Sequence, residues 1–234
     1  MRTLSLFCFI LISFLTSSAS DTMKQKPILI YVFDPMCGWC YGFSAVMVQF
    51  QAKHANEFQF NAISGGMIVG DQQQPIASMR DYIKGAIPHL EKTTGIYISE
   101  NYKQTILEKG TYISSSEKPS FAFVHFKNSF PEQSIAFAHE LQNLLFQDGL
   151  DLNQDSVYMS LLKKFDLEPT AFIQEMNSER IRKQTFDEFN QVSNWGVKGF
   201  PAVLLFHEGK GYMVSNGYTD LASLESQVSE ILKK

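Results

Sequence analysis

Two cysteines three positions apart, Cys37 and Cys40, constrain the fold of this chain more than any other feature of its sequence. They follow residues 26–33, a short apolar run rich in β-branched and aromatic residues that is typical of a buried strand. Beyond Cys37, apolar residues recur at helical spacing to about His54. The pair therefore lies where a strand gives way to a helix, and it could hold a metal ion, cross-link the chain or exchange electrons.

The segments around the pair predict an α/β fold. Residues 57–64 alternate as a second strand, and strand, helix and strand in so short a span indicate a parallel βαβ unit with a right-handed crossover. Near the end of the chain, residues 202–206 and 211–217 predict a hairpin. Asp220 is placed to cap a final helix.

Residues 67–189, between these two parts, carry a helical pattern. We see no low-complexity linker beside them, so we expect an insertion packed on the core. The predicted order is βαβ, a helical block and ββα, with a core at residues 26–64 and 190–234 and a helical subdomain at residues 65–189. The content of hydrophobic residues, 44%, suffices for a sizeable core.

The first 20 residues predict a signal peptide. Arg2 provides a short positive region, residues 4–15 are apolar, and small residues precede a cleavage site near Ser20. The apolar run is too short to span a bilayer comfortably, which disfavours an anchoring helix. We therefore expect a periplasmic or secreted protein. Cleavage would remove Cys8, and the remaining pair would meet an oxidising compartment, which suggests that it has a function.

Overall charge gives a weaker constraint. The chain has 24 acidic and 20 basic residues and no basic run, which argues against nucleic acid as a partner. Its 20 phenylalanines fit a phenylalanine-rich core, or an apolar groove for unfolded chains.

The predicted local structure favours reactive sulfurs. Cys37 would lie at a helix N-terminus, where free N–H groups and the helix dipole stabilise a thiolate. Cys40, one turn later, would place its sulfur beside the first. Trp39 is too large to bury within the loop, so we expect it to be partly exposed beside the sulfurs, and Met36 could pack in a groove there or in the core.

Pro201 starts the strand that follows the helical block. In the predicted element order this proline would face the helix N-terminus that carries Cys37. A cis bond between Phe200 and Pro201 would leave the Phe200 backbone free to pair with an incoming peptide. The alternative is an ordinary trans proline at the start of a strand. Together with the cysteine pair, we favour the cis form.

Three segments, DPMCGWCYGF, Gly65-Gly66 and GVKGFPAVLL, resemble the DsbA-like thiol–disulfide oxidoreductases of the thioredoxin superfamily. The similarity is greatest to the FrnE-like and predicted disulfide-isomerase branch, and it covers nearly the whole chain after the signal peptide. The resemblance implies a thioredoxin fold with a helical insertion. It also implies that Cys37 attacks, that Cys40 resolves the mixed disulfide and that Pro201 is the cis-proline.

The resemblance further implies an enzyme that forms or reshuffles disulfides in exported proteins. Its substrates would be unfolded or cysteine-containing exported proteins, and a membrane partner would restore its redox state. It would need no cofactor or metal besides the Cys37–Cys40 disulfide. The segment before the first strand is too short for a dimerisation arm, so we expect a monomer.

The chain departs from the family pattern in two places. Six positions before Cys37, where many relatives carry a buried acid, it has Tyr31. The nearest acid is Asp34, which we expect to be exposed, so proton relay to Cys40 could use Tyr31, Asp34 or water. The Gly-Trp dipeptide between the cysteines lacks a histidine, which leaves the oxidising strength and the direction of the reaction open.

Other functions for the pair also stay open. Structural zinc needs four ligands, and no second histidine follows His54 at a suitable spacing. A Cu(I) site using both thiolates and Met36 would define a periplasmic copper-handling protein or chaperone. A purely structural disulfide would close too short a loop to stabilise much. A glutathione-dependent isomerase needs one activated residue, so the second cysteine, Cys40, argues against it.

Overall fold

The computed structural model describes residues 26–233, which form six strands and eight α-helices. The strands are β1 (Ile28–Phe33), β2 (Gln59–Ser64), β3 (Gln74–Pro75), β4 (Ile113–Ser114), β5 (Ala202–His207) and β6 (Lys210–Asn216). The main sheet has the order β2-β1-β5-β6. Strand β1 pairs parallel with β2 and antiparallel with β5, and β6 completes the hairpin. This is the predicted α/β thioredoxin fold.

The helices are α1 (Gly38–His54), α2 (Arg80–Thr94), α3 (Glu117–Ser129), α4 (Ser134–Phe146), α5 (Tyr158–Lys164), α6 (Pro169–Met176), α7 (Glu179–Asn194) and α8 (Leu221–Leu232). A π-helix covers Tyr102–Glu108. Asp220 caps α8 as predicted, because its side chain accepts a hydrogen bond from the Ser223 N–H. None of the helices within residues 26–233 is long and apolar enough to cross a membrane.

The helical block contains a feature that its sequence pattern did not predict. Strands β3 and β4 pair as a separate two-stranded sheet. Each strand has only two residues, so neither produces a recognisable alternation in the sequence. The predicted signal peptide, residues 1–20, lies outside the described residues.

The alternation along β1 divides the core between the two faces of the main sheet. Leu29, Tyr31 and Phe33 point into the larger cluster, which includes the buried face of α1. Val32 points to the smaller cluster, where Val192 of α7 covers the sheet. Because both faces are covered, β1 is buried between helices, and its end is a rigid base for the loop that follows.

Candidate active site

The cysteine pair lies at the junction of β1 and α1. Cys37 is the N-cap of α1, and its sulfur accepts a hydrogen bond from the Cys40 N–H at 3.3 Å. Both thiols are free. Cys37 retains 6% exposure and lines a cavity of about 560 Å³, whereas Cys40 is fully buried. The two sulfurs therefore have different access to an incoming molecule.

Burial sets the protonation of Cys40 and its neighbour. Desolvation raises the pKa of Cys40 well above its ordinary value, and the hydrogen bond and charge of Cys37 raise it further. The Tyr31 hydroxyl donates to the Cys40 carbonyl oxygen at 3.0 Å. Burial also raises the pKa of Tyr31 well above its ordinary value, so this hydroxyl keeps its proton and acts as a donor.

Asp34 is fully buried, so the expectation of an exposed carboxylate was wrong. Its oxygens accept hydrogen bonds from the Met36 N–H at 2.9 Å, the Ser116 hydroxyl at 2.8 Å and the Met67 N–H at 2.7 Å. Burial nevertheless raises its pKa, against the lowering effect of these bonds. Met67 and Ser116 belong to the helical block, whose packing over this turn could not be read from the residues around Asp34.

Gln142 of α4 is a site residue that sequence reasoning missed. Its side-chain amide donates to the carbonyl oxygens of Asp34 at 3.2 Å and Cys37 at 3.3 Å. The Asp34 carbonyl oxygen also accepts a hydrogen bond from the Cys37 N–H at 3.1 Å. The buried side-chain amide of Gln142 therefore spans the turn that leads into α1. In the sequence Gln142 is one of several polar residues of α4, and nothing there marks it as a contact of the cysteine loop.

The loop before β5 completes the site. The Phe200–Pro201 peptide bond is cis, as predicted. The Cys37 thiol donates to the Phe200 carbonyl oxygen at 3.6 Å. The Phe200 ring lies over Gly65, where an added Cβ would be 2.0 Å from ring atom Cε1. Gly65 therefore provides the space that lets Phe200 approach the cysteine loop.

Trp39 and Met36 also lie where the sequence placed them, beside Cys37. Both are half-buried and line the cavity, which confirms the expected partial exposure of Trp39. The Trp39 ring meets His89 edge-on, with centroids 5.5 Å apart. The Tyr112 hydroxyl donates to the Met36 sulfur at 3.2 Å. Within residues 26–233, no group of three or more His, Cys, Asp or Glu side chains is placed to hold a metal ion.

Comparison with known proteins identifies the family to which the chain belongs. A family model described as Thioredoxin matches residues 31–225, so the chain belongs to the thioredoxin family. The expected likeness to DsbA-like members of the thioredoxin superfamily is confirmed.

Individual relatives are more distant. The chain is 24% identical over 216 residues to the ClpXP adapter protein SpxH of Halalkalibacterium halodurans, covering 87% of this chain and 68% of the relative. A crystal structure from Nitrosomonas europaea, provisionally named a protein disulfide isomerase, is 22% identical with a TM-score of 0.77 and covers 89% of this chain and 98% of its own. The cytosolic disulfide reductase DsbM from Pseudomonas aeruginosa is 21% identical with a TM-score of 0.73, covering 88% and 98%. These likenesses establish the fold.

Proposed function

We propose that this protein is an exported thiol–disulfide oxidoreductase that forms or reshuffles disulfides in extracytoplasmic proteins. The observation that carries the proposal is the unequal pair in the CGWC loop. Cys37 lines a cavity and caps a helix, whereas Cys40 is buried directly behind it. In this arrangement Cys37 is the sulfur that meets a substrate, and Cys40 is the sulfur that later releases it.

The chemistry consists of two exchanges. In the reducing direction, the Cys37 thiolate attacks one sulfur of a substrate disulfide, and the other substrate sulfur leaves as a thiolate. The Cys40 thiolate then attacks the Cys37 sulfur, which forms the Cys37–Cys40 disulfide and releases the second substrate sulfur. Two electrons move from the pair to the substrate. The same steps in reverse donate a disulfide, so no further cofactor is needed.

Cys40 must lose a proton before the second exchange, and its raised pKa makes this step demanding. Of the two relay residues named from the sequence, Tyr31 keeps its own proton because its pKa is raised well above the ordinary value, so it does not accept the proton of Cys40. Asp34 is a buried carboxyl whose charge acts on Cys40. We assign the acceptor role to Asp34, and Tyr31 then fixes the backbone at Cys40.

The substrate would lie across Cys37. Phe200 would offer its backbone to an extended peptide beside Pro201, and Trp39 and Met36 would contact the neighbouring side chains. Substrates would be cysteine-containing or unfolded exported proteins. Export rests on the pattern of residues 1–20, and the protein would act as a monomer in the periplasm or outside the cell, with a membrane partner that resets the pair.

Trapping of mixed disulfides tests the assignment of the two sulfurs. Cys40→Ser should accumulate mixed disulfides through Cys37, whereas Cys37→Ser should accumulate few. Insulin reduction and refolding of scrambled ribonuclease, measured on the same proteins, should require Cys37. Equal trapping by both variants would contradict the roles, and Cu(I) binding by the wild type without turnover would favour a copper-handling protein.

The reduction potential of the pair decides the direction of the reaction. The helix N-terminus stabilises the Cys37 thiolate and so favours the reduced form, but the Gly-Trp dipeptide adds no positive charge. We expect a potential between about −120 mV, as in strong oxidants, and about −270 mV, as in thioredoxin. Equilibration with glutathione buffers, followed by Trp39 fluorescence, measures it. A value below the thioredoxin end would make the protein a reductase.

A further inference from the structure

The buried side of the cysteine loop carries an inference about what sets the redox balance of the pair, which rests on the proposed function. We infer that Gln142 of α4 is a positioning residue, which holds Cys37 in the geometry that stabilises its thiolate and so makes the pair more oxidising. The hydrogen bonds of Gln142 go to the backbone of the turn and not to a sulfur, so it would act through that backbone.

The orientation of the Gln142 amide is fixed by its two acceptors. Its Nε2 lies 3.2 Å from the Asp34 carbonyl oxygen and 3.3 Å from the Cys37 carbonyl oxygen, so both of its hydrogens are used. The reverse orientation would turn Oε1 toward two oxygens that can only accept, which is repulsive. Oε1 therefore faces away from the turn, where it is buried without a hydrogen-bond partner among the described residues.

As a contact for stability alone, this arrangement is poor. Both carbonyl oxygens already accept a backbone hydrogen bond, that of Asp34 from the Cys37 N–H at 3.1 Å and that of Cys37 from the Tyr41 N–H at 3.0 Å. Neither oxygen needs Gln142 as its only donor, whereas Oε1 of Gln142 loses its water on folding and gains no donor. An apolar side chain of similar size would avoid that cost, so the amide calls for a role other than stability.

The backbone that Gln142 holds determines where the Cys37 sulfur lies. Cys37 is the N-cap of α1, with an extended backbone (φ −84°, ψ 112°) from which its sulfur reaches the first turn of the helix. There the sulfur accepts a hydrogen bond from the Cys40 N–H at 3.3 Å, and such a bond is stronger when the acceptor is charged. Because Gln142 joins Asp34 and Cys37, the two ends of the turn, it limits how far this geometry can relax.

The direction of the effect follows from which redox form contains the thiolate. Only the reduced pair can have a thiolate at Cys37, because in the oxidised pair this sulfur is bonded to that of Cys40. An interaction that stabilises the thiolate therefore favours the reduced form and raises the reduction potential, which makes the pair a stronger oxidant. Loss of the two hydrogen bonds from Gln142 should accordingly make the pair more reducing.

Gln142→Met tests the inference directly, because methionine has a similar length, cannot donate to the turn and leaves no oxygen without a partner. In glutathione buffers, followed by Trp39 fluorescence, we expect the equilibrium to shift toward the oxidised pair by about three- to tenfold, and tenfold corresponds to about 30 mV. Alkylation of Cys37 by iodoacetamide at pH 7 should slow, because less thiolate is present. The midpoint of urea unfolding, measured on the reduced proteins, should stay the same or rise.

Gln147→Met is the matched control. Gln147 directly follows α4, and its side-chain amide donates to the Tyr41 hydroxyl and to the Tyr97 carbonyl oxygen. Neither acceptor belongs to the turn before α1, so this variant should lose stability and keep the wild-type potential. Gln142→Asn is a second test, since its amide is one methylene too short to reach both carbonyl oxygens. It should shift the potential as Gln142→Met does, although its buried amide should lower the urea midpoint.

The outcomes separate this inference from the proposed function. A wild-type potential in Gln142→Met, or an equal shift in Gln147→Met, would overturn the inference and leave the oxidoreductase function intact. Failure of Gln142→Met to fold, or a clear fall in its urea midpoint, would assign Gln142 a structural role and also overturn the inference. A potential that shifts only in the two Gln142 variants, in a protein that exchanges with glutathione but neither reduces insulin nor refolds ribonuclease, would support the inference and overturn the proposed function.

Discussion

The two sides of the cysteine loop contrast with each other. On the cavity side, Cys37, Met36 and Trp39 border open space. On the buried side, Cys40 and Asp34 are fully enclosed, and hydrogen bonds from the helical block fix the turn. Under the proposed function, the cavity side would meet the substrate, and the buried side would control the geometry of the turn and the proton of Cys40.

The largest expected effect is a difference between the alkylation rates of Cys37 and Cys40, which tests the contrast between the two sides. In the reduced native protein, iodoacetamide should modify Cys37 faster than Cys40 by a factor on the order of a hundred, because the thiolate is the reactive form and burial disfavours it at Cys40. Mass spectrometry of peptides after short exposures at pH 7 measures both rates. Denatured protein is the control, in which the two rates should converge. Similar rates in the native protein would remove the distinction.

Asp34→Asn tests how much the hydrogen bonds accepted by the buried Asp34 carboxyl contribute to stability. Asparagine cannot accept at both oxygen positions, so the Met67 N–H loses its acceptor, and we expect a loss of about 1–3 kcal/mol in the free energy of unfolding. Urea unfolding measures it.

The pH dependence of that loss has a defined sign. The pKa of Asp34 is higher in the folded protein than in the unfolded chain. Between these two pKa values, the folded protein keeps the Asp34 proton and the unfolded chain releases it. The resulting stability is fully present below the ordinary aspartate range, near pH 4, and is lost as the pH rises through the higher folded value. The stability difference between wild type and Asp34→Asn should therefore shrink with rising pH. Asp71→Asn, at an exposed acid, is the control, and a difference that grows would contradict the buried carboxyl.

Gly65→Ala tests how the Phe200 loop is held against the cavity side. The new Cβ would overlap the Phe200 ring, so the ring must move, at a cost of about 1–3 kcal/mol in stability. We expect insulin reduction to slow by about three- to tenfold, a loss that corresponds to roughly 1 kcal/mol. Gly85→Ala is the matched control, since its Cβ meets open space within α2. If both variants kept full activity, Phe200 would not position substrates.

Tyr31→Phe should have the smallest effect. It removes one hydrogen bond to the Cys40 carbonyl and should cost about 1 kcal/mol of stability. Exchange rates between pH 6 and 8 should change by less than about twofold, because a phenol that keeps its proton accepts none from Cys40. Stopped-flow measurement of Trp39 fluorescence follows the exchange. A large loss of rate with little loss of stability would move the relay from Asp34 to Tyr31.

Much of the fold could be read from the sequence, because its signals are local. The apolar run before Cys37, the spacing through α1 and the hairpin near the C-terminus each depend on residues close in the chain, and the observed βαβ and ββα parts follow them. The cis bond at Pro201 was inferred from element order together with the cysteine pair. The two-residue strands β3 and β4 were not predicted, since a single pair of residues has no periodicity.

By itself, the sequence determined that the cysteine pair lies at the start of a helix. Only the tertiary structure decided what surrounds them. Asp34 is buried and Gln142 spans the turn because α4 and the segments around Met67 and Ser116 fold over it. Such contacts join residues 33 to 108 positions apart. Hydrophobic periodicity records which face of an element is covered and not which element covers it, so burial and pKa at the site had to come from the packed chain.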